Sequence, residues 1–195
     1  EYFVQKSVAN GIDIIRIFDA LNDIRNLETS IKAARKEKGA HVQVAISYTT
    51  SPVHNIDYFV KYAKALEETG ADSICIKDMA GLLKPYTCYE LVSELKKTVK
   101  IPVDIHSHYT AGLASMSILK GIEAGADIIM LDNMDNATMK AAVELIGGKA
   151  LSEASGGITH DTIADVAKTG VDIISVGALT HSVKAFDISM KIKKL

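Results

Sequence analysis

The sequence predicts an α/β protein of the TIM-type (β/α)-barrel class, incomplete or recombined, with about seven parallel strands behind an N-terminal helix. One phrase occurs four times: GIDIIRIF at 11–18, GADSICIK at 70–77, GADIIMLD at 125–132 and GVDIISVG at 170–177. In each copy a glycine closes the preceding helix, and an aspartate leads into an apolar run suited to a strand covered on both faces. The copies lie 59, 55 and 45 residues apart, too long for one strand–helix unit and right for two. The strands between them fall at His41–Ser47, Ile101–His106 and Ala150–Glu153. Strict strand–helix alternation argues a parallel sheet, and nearly equal units favour a barrel over an open doubly wound sheet. No Gly-rich dinucleotide fingerprint follows the first strand. A full barrel of this type has about eight strands in about 250 residues. One strand short, the chain must close with seven, stay open, or cover its edge with the leading helix or a second copy.

The elements follow in order. Residues 1–10 read as a short helix with Phe3, Val4 and Val8 on one side, stopped by Gly11. The first strand is Ile12–Phe18; Asn22 and Asp23 can cap a helix to about Lys38, with Ile24, Leu27, Ile31 and Ala34 inward. The second strand is Val42–Ser47, and Asn55 caps a helix to Glu68 with Tyr58, Val60, Tyr62 and Leu66 apolar. The third strand is Asp72–Lys77, and Pro85 stands in the first turn of a helix to about Val99. Next come strand Val103–His106, helix Ala111–Ala124, strand Asp127–Leu131 and helix Ala137–Ile146, closed by Gly147 and Gly148. Strand Ala150–Ala154, helix Asp161–Lys168, strand Asp172–Val176 and helix Ser182–Lys193 complete the chain. Residues 1–195 thus read as a single barrel domain.

Composition narrows the function classes. Net charge is −2, from 22 basic and 24 acidic residues, so no general field for nucleic acid or membrane is implied. There is no apolar run of spanning length and no signal peptide, so a cytoplasmic protein is expected. Cys75 and Cys88 suit reduced thiols. The chain opens at Glu1, inside what reads as a helix, as a fragment would.

Strand alternation places Arg16, Phe18, Lys77, Asp132 and Gly177 toward the barrel axis near the C-terminal mouth, where barrels of this class carry chemistry. Lys77 and Asp132 are expected within ion-pair reach. His106 and His108, two apart at a strand end, can point the same way, as a divalent-metal pair or as solvated rim residues. Ser155-Gly156-Gly157 and Gly177–Ser182 follow the last two strands. They read either as plain turns or as loops whose backbone N–H groups meet phosphate. His41, His54 and His160 read as loop or cap residues, and Met130, Met134 and Met139 as packing.

Two resemblances sharpen these sites. RIFDALNDIRNLETSIKAA, SYTTSPVH, GADSICIKDMAGLL and IHSHYTAGLASM make residues 1 to about 126 similar to the carboxyltransferase domain of pyruvate carboxylase and the α subunit of oxaloacetate decarboxylase. The resemblance implies that Lys77 becomes carbamylated and binds a catalytic divalent metal (Zn, Mn, Co or Mg) with His106 and His108. That family's first three strands have no counterpart here. They carry an aspartate ligand and the glutamine and arginine that handle the keto acid. No biotin-site segment or biotin attachment site is found, and Asp132 is a replacement ligand.

ADIIMLDNM, AVELIGGKALSEASGGIT and TGVDIISVGALTHSVKAFDIS make residues from about 121 to 195 resemble quinolinate phosphoribosyltransferase (nicotinate-nucleotide pyrophosphorylase). This implies that Asp132 and Glu153 assist ribosyl transfer and its metal, and that Ser155, Gly156, Gly157, Gly177, Ala178 and His181 line a phosphoribosyl site. That family's N-terminal domain and quinolinate-binding cluster are lacking. Taken together, the catalytic candidates are Asp132, Glu153 and Lys77.

The two resemblances meet within Gly121–Asn133. The chain reads as a recombined barrel, engineered or otherwise, carboxyltransferase-like over 1–126 and phosphoribosyltransferase-like over 127–195. Three functions follow from that reading. The first is a scaffold with phosphate-binding loops and little or no turnover. The second is a binder of phosphate or a phosphoribosyl compound. The third is a residual enzyme, either a metal-dependent oxaloacetate decarboxylase or carboxyltransferase, or a phosphoribosyltransferase of nicotinate-nucleotide synthesis. No nucleic-acid or membrane partner is expected, and a homodimer through the open barrel edge is.

Overall fold

The computed structural model describes residues 1–182. Its strands are β1 Ile14–Phe18, β2 His41–Ser47, β3 Ser73–Asp78, β4 Val103–Ser107, β5 Ile128–Asp132, β6 Leu151–Ser155 and β7 Ile173–Ile174. Its α-helices are α1 Tyr2–Ala9, α2 Ile24–Lys36, α3 Ile56–Glu68, α4 Pro85–Thr98, α5 Ala114–Glu123, α6 Asn136–Ile146, α7 Ile163–Ala167 and α8 Ala178–His181. All seven strands lie in one parallel sheet in chain order, β1 to β7. Among the described residues nothing pairs β7 back to β1, so the sheet is a curled, open half-barrel with helices against its outer face.

The helices start where local chemistry starts them. Asn55 Oδ1 accepts the Tyr58 N–H at 2.9 Å, and Asp135 Oδ1 accepts from Ala137 and Thr138. Asp23 caps α2, whereas Asn22 has another task. With a left-handed φ of 57°, its amide bonds both the N–H and the C=O of Ser47, pinning the β1–α2 loop to β2. The core lies between sheet and helices. Leu27, Ile31 and Ala34 of α2, Phe59, Ala63 and Leu66 of α3, and Leu91, Val92 and Leu95 of α4 are buried there with Val44, Ile46, Ile74, Ile76 and Ile105.

The repeated phrase is a structural device. Gly11, Gly70, Gly125 and Gly170 have φ of 95°, 91°, 95° and 91°, the left-handed turn that ends a helix most easily at glycine. In the last three copies the aspartate two positions on then latches the start of the preceding strand. The Val42 N–H donates to Asp72 Oδ2, the Val103 N–H to Asp127 Oδ2 and the Ser152 N–H to Asp172 Oδ2, each at 2.8 Å. The main-chain N–H groups of Asp72, Asp127 and Asp172 return the bond to the carbonyls of Val42, Val103 and Ser152. The sheet is therefore built of two-strand units, β2–β3, β4–β5 and β6–β7.

Several expectations are corrected. The α3 face buried deepest is Phe59, Ala63 and Leu66; Tyr58, Val60 and Tyr62 are only half-buried. In α1 Val4 is buried but Phe3 is exposed. The helix expected over 111–124 is split into a short 3-10 turn, Tyr109–Ala111, and α5, because Gly112 takes a left-handed conformation between them. β7 is two residues long instead of five. His41 belongs to β2, where its Nε2 meets Ser73 Oγ at 2.7 Å. The helix expected at Ser182–Lys193 lies outside the described residues from 183 onward; before it stands the short α8, which sequence patterning did not indicate. Both cysteines are free and buried.

Candidate metal centre at the barrel mouth

The inward faces of the strands form two polar layers. The upper layer lies at the C-terminal ends. Register sets Lys77 of β3 beside His106 of β4, and Asp132 of β5 beside Ser155 of β6. His108 follows β4, its ring centroid 4.9 Å from that of His106. His106, His108 and Asp132 each present a ligand atom, and these all lie within 4.8 Å of one another. His106 is buried, and its Nε2 has no hydrogen-bond partner. Burial first, then the charge of Lys77, Arg16 and His108, pushes the His106 pKa down to about 3, so its imidazole is neutral near pH 7.

Lys77 Nζ lies 3.3 Å from His106 Nδ1 and 5.4 Å from the centroid of the Phe18 ring. Burial lowers the pKa of its ammonium. The expected Lys77–Asp132 ion pair is not formed. Lys77 reaches across the adjacent strand to His106, whereas Asp132 accepts from Asn133 Nδ2 at 2.9 Å. The loop after β3 is held by buried Asp78, whose carboxylate accepts the N–H groups of Leu82 and Leu83 and the Ser107 hydroxyl. That bond ties the ends of β3 and β4 together, and with them Lys77 and His106.

The lower layer is a buried ion network centred on Arg16. Its guanidinium bonds Gln43 Oε1, Asp104 Oδ2 at 3.0 Å and Glu153 Oε2 at 2.6 Å. Ser175 Oγ donates to the other oxygen of Glu153. Burial works against the charge on Arg16, but Cys75, Glu153 and Asp104 outweigh it and raise its pKa. Burial, then the neighbouring Glu153 carboxylate, pushes Asp104 up to about 7. Glu153, a catalytic candidate from sequence, therefore lies fully buried as a counter-ion of Arg16. Sequence reading missed Asp104 and Gln43. The signal was present: in VDIHSH, Asp104 shares the strand face of His106 and His108.

Among the phosphate candidates, Gly156 and Gly157 take left-handed φ of 96° and 63° at the end of β6. A Cβ on Gly156 would run into the side chain and backbone N of Asn133, so this turn packs directly against the end of β5. Gly177 leads the four-residue α8, where Ala178 is half-buried and His181 exposed. His181 Nδ1 lies 2.7 Å from Ser182 Oγ. Ser155 is half-buried and its carbonyl accepts the Asn133 N–H at 2.9 Å.

An open half-barrel whose C-terminal mouth gathers two imidazoles, a carboxylate and a desolvated lysine defines the class: a (β/α)-barrel protein with a metal-type site at the end where such barrels work. Comparison with known proteins narrows this. The chain belongs to the HMGL-like family, matched over residues 14–131, and over 87–191 to the quinolinate phosphoribosyl transferase C-terminal domain family; the matches overlap at 87–131. A pyruvate carboxylase subunit of Methanocaldococcus jannaschii is 65% identical over 129 residues, 66% of this chain and 23% of that protein. The 2-oxoglutarate carboxylase large subunit of Hydrogenobacter thermophilus is 34% identical over 194 residues, 98% of this chain and 28% of that protein. The carboxyl transferase domain from Rhizobium etli pyruvate carboxylase with pyruvate superposes with a TM-score of 0.70 at 29% identity, covering 87% of this chain and 30% of that chain. The chain thus spans about a quarter of the length of these curated relatives. They support the carboxyltransferase alternative better than a scaffold without turnover. No helix among the described residues is long and apolar enough to cross a membrane.

Proposed function

We propose that this chain carries the metal-binding part of a carboxyltransferase centre and that its own chemistry is metal-dependent decarboxylation of a small keto acid of the oxaloacetate type. The observation that carries the proposal is the convergence of His106, His108 and Asp132 within 4.8 Å, with His106 Nε2 buried and unpartnered. Two nitrogens and an oxygen fit Zn²⁺, Mn²⁺ or Co²⁺, and Mg²⁺ less well. When bound, the cation supplies Lewis acidity that polarises the keto oxygen.

The chain's own groups set up the donor atoms. For His106 Nε2 to offer a lone pair, the ring proton must sit on Nδ1. Lys77 Nζ, 3.3 Å from Nδ1, can accept that hydrogen bond only as the neutral amine, the state that burial favours. Lys77 is then a positioning residue for His106 and, as a neutral amine, the group whose carbamylation the carboxyltransferase resemblance implies. The test is oxaloacetate decarboxylation with added Mn²⁺, Zn²⁺ or Co²⁺, together with metal content. His106→Ala with His108→Ala should lower both to the level of metal alone. Activity surviving in the double variant would refute the assignment.

A second reading is supported by the family match over 87–191 and by the consecutive left-handed glycines Gly156 and Gly157. We propose that Ser155–Gly157 and Gly177–His181 accept phosphate or a phosphoribosyl group, and that residues beyond about 126 descend from the phosphoribosyltransferase lineage. Phosphoribosyl pyrophosphate should then raise the melting midpoint above that in chloride at matched ionic strength. No rise, or an equal rise in a Gly177→Val variant, would sink this reading.

A further inference from the structure

Among the described residues two that are not glycine take a left-handed conformation, Asn22 with φ of 57° and Asn133 with φ of 55°. The Asn22 amide is taken up by the main chain of Ser47. At Asn133 the main chain itself reaches the neighbouring strand, its N–H donating to the Ser155 carbonyl at 2.9 Å. The side chain is thereby left for another partner, and its Nδ2 donates to Asp132 Oδ2 at 2.9 Å. The other oxygen of Asp132 has no hydrogen-bond or ion-pair partner among the described residues. Asn133 is exposed, but one flank rests on Gly156. At φ of 96°, Gly156 lies so close that a Cβ there would stand 2.5 Å from Asn133 Cγ and 2.8 Å from its backbone N. Register sets Ser155 beside Asp132, so the turn after β6 reaches the Asp132 carboxylate through Asn133.

We infer that Asn133, seated on Gly156, is a positioning residue of the candidate metal centre: its amide occupies one oxygen of Asp132 and leaves a single oxygen to join His106 and His108. The inference rests on the metal reading of that cluster and goes beyond it, because it fixes how the carboxylate binds and hence which cation is preferred. A carboxylate free at both oxygens can chelate, which suits the oxygen-seeking ions Ca²⁺ and Mn²⁺. One oxygen with two imidazole nitrogens makes three ligands and an open position, the arrangement Zn²⁺ takes in reactive sites. A neutral amide holds the carboxylate without cancelling its charge, as a lysine at 133 would. The same contact requires glycine at 156, since any side chain there would push the amide off Asp132.

The test titrates the full chain with Zn²⁺ and Mn²⁺ by calorimetry and reads the geometry of the site from Co²⁺ absorption. Asn133→Gly keeps the left-handed turn, which glycine adopts freely, and deletes the amide. Zn²⁺ affinity should fall about tenfold, as it does when a group that orients a metal ligand is lost. Mn²⁺ affinity should fall less, whereas a merely loosened fold would weaken both ions alike. The Co²⁺ band should lose intensity and move to shorter wavelength as the second oxygen of Asp132 joins and the coordination number rises. A smaller folded fraction would lower the band without moving it. Gly156→Ala should act in the same direction, and the two changes together should cost less than their sum. Equal Zn²⁺ affinity and an unmoved Co²⁺ band in Asn133→Gly overturn this inference alone. No Zn²⁺ binding by wild type, or binding that His106→Ala with His108→Ala leaves unchanged, removes it together with the metal reading beneath it.

Discussion

The two ends of the same strands differ in how their polar groups are satisfied. At the starting ends, carboxylates of Asp72, Asp127 and Asp172 meet backbone N–H groups at 2.8 Å, and Asp72 and Asp127 add Arg35 and Lys96 as ion pairs. At the finishing ends, His106 Nε2 is buried without a partner and the nearby Lys77 is pushed toward neutrality. Apart from Asp13, exposed and without a side-chain partner among the described residues, the starting ends are closed in their hydrogen bonding, and the finishing ends keep donor atoms uncommitted. A buried polar atom without a partner costs stability, and at the mouth His106 Nε2 is such an atom, one that a ligand would satisfy.

The comparison can be broken by removing groups from each level. Arg16→Ala should have the largest effect, about 3–5 kcal/mol of lost stability, because it leaves Asp104 and Glu153 buried without their counter-ion. Chemical denaturation would measure it, and a loss below about 1 kcal/mol, within the range of ordinary surface changes, would show the network to be solvated. Asp127→Ala should cost about 1–3 kcal/mol by orphaning the Val103 N–H. Asp13→Ala, with nothing to release, should stay within about 0.5 kcal/mol of wild type. If the two variants lose equal stability, the latches are not what secures the strand starts.

A pH series sharpens the contrast within the interior. The folded-state pKa of Asp104 is raised from 3.8 to about 7, so the folded chain holds a proton that the unfolded chain releases. Wild type should therefore lose stability relative to Asp104→Asn as pH climbs from about 4 to about 7, and the gap should level off above. His106 works in the opposite sense. Its folded pKa is lowered from 6.5 to about 3, so its contribution is present above 6.5 and fades as the solution is acidified toward 3. Because both proteins keep His106, the difference between them isolates Asp104. A gap that does not change across that window would remove the raised Asp104 pKa.

Much of this was legible in the sequence because period and punctuation report backbone geometry. The glycines at 11, 70, 125 and 170 announced left-handed turns, and each has one. Asn55 and Pro85 marked the starts of α3 and α4 correctly. What patterning could not reveal was the partner of each polar side chain. Lys77 was expected to face Asp132, but strand register puts His106 beside it. Asp104 reads as an ordinary strand residue until the curl of the sheet brings it to Arg16, 88 positions away. The aspartate of the repeat was visible as a recurrence, but its acceptor role depends on parallel pairing that only three dimensions supply. The shortness of β7 was likewise hidden, because five apolar-rich residues look alike whether or not a neighbour bonds them all.

The latches also bear on how the chain finds its fold. They join residues 30, 24 and 20 positions apart, so each two-strand unit closes a short loop before any distant contact is needed. Contacts of such short range favour rapid, piecewise assembly. The amides of Val42, Val103 and Ser152 are then reporters of three separable cooperative units. In native-state hydrogen exchange each should open together with its own aspartate's strand, and slowest where the unit is flanked on both sides. The units β2–β3 and β4–β5, each flanked on both sides, would let deuterium in later than β6–β7 at the sheet's edge.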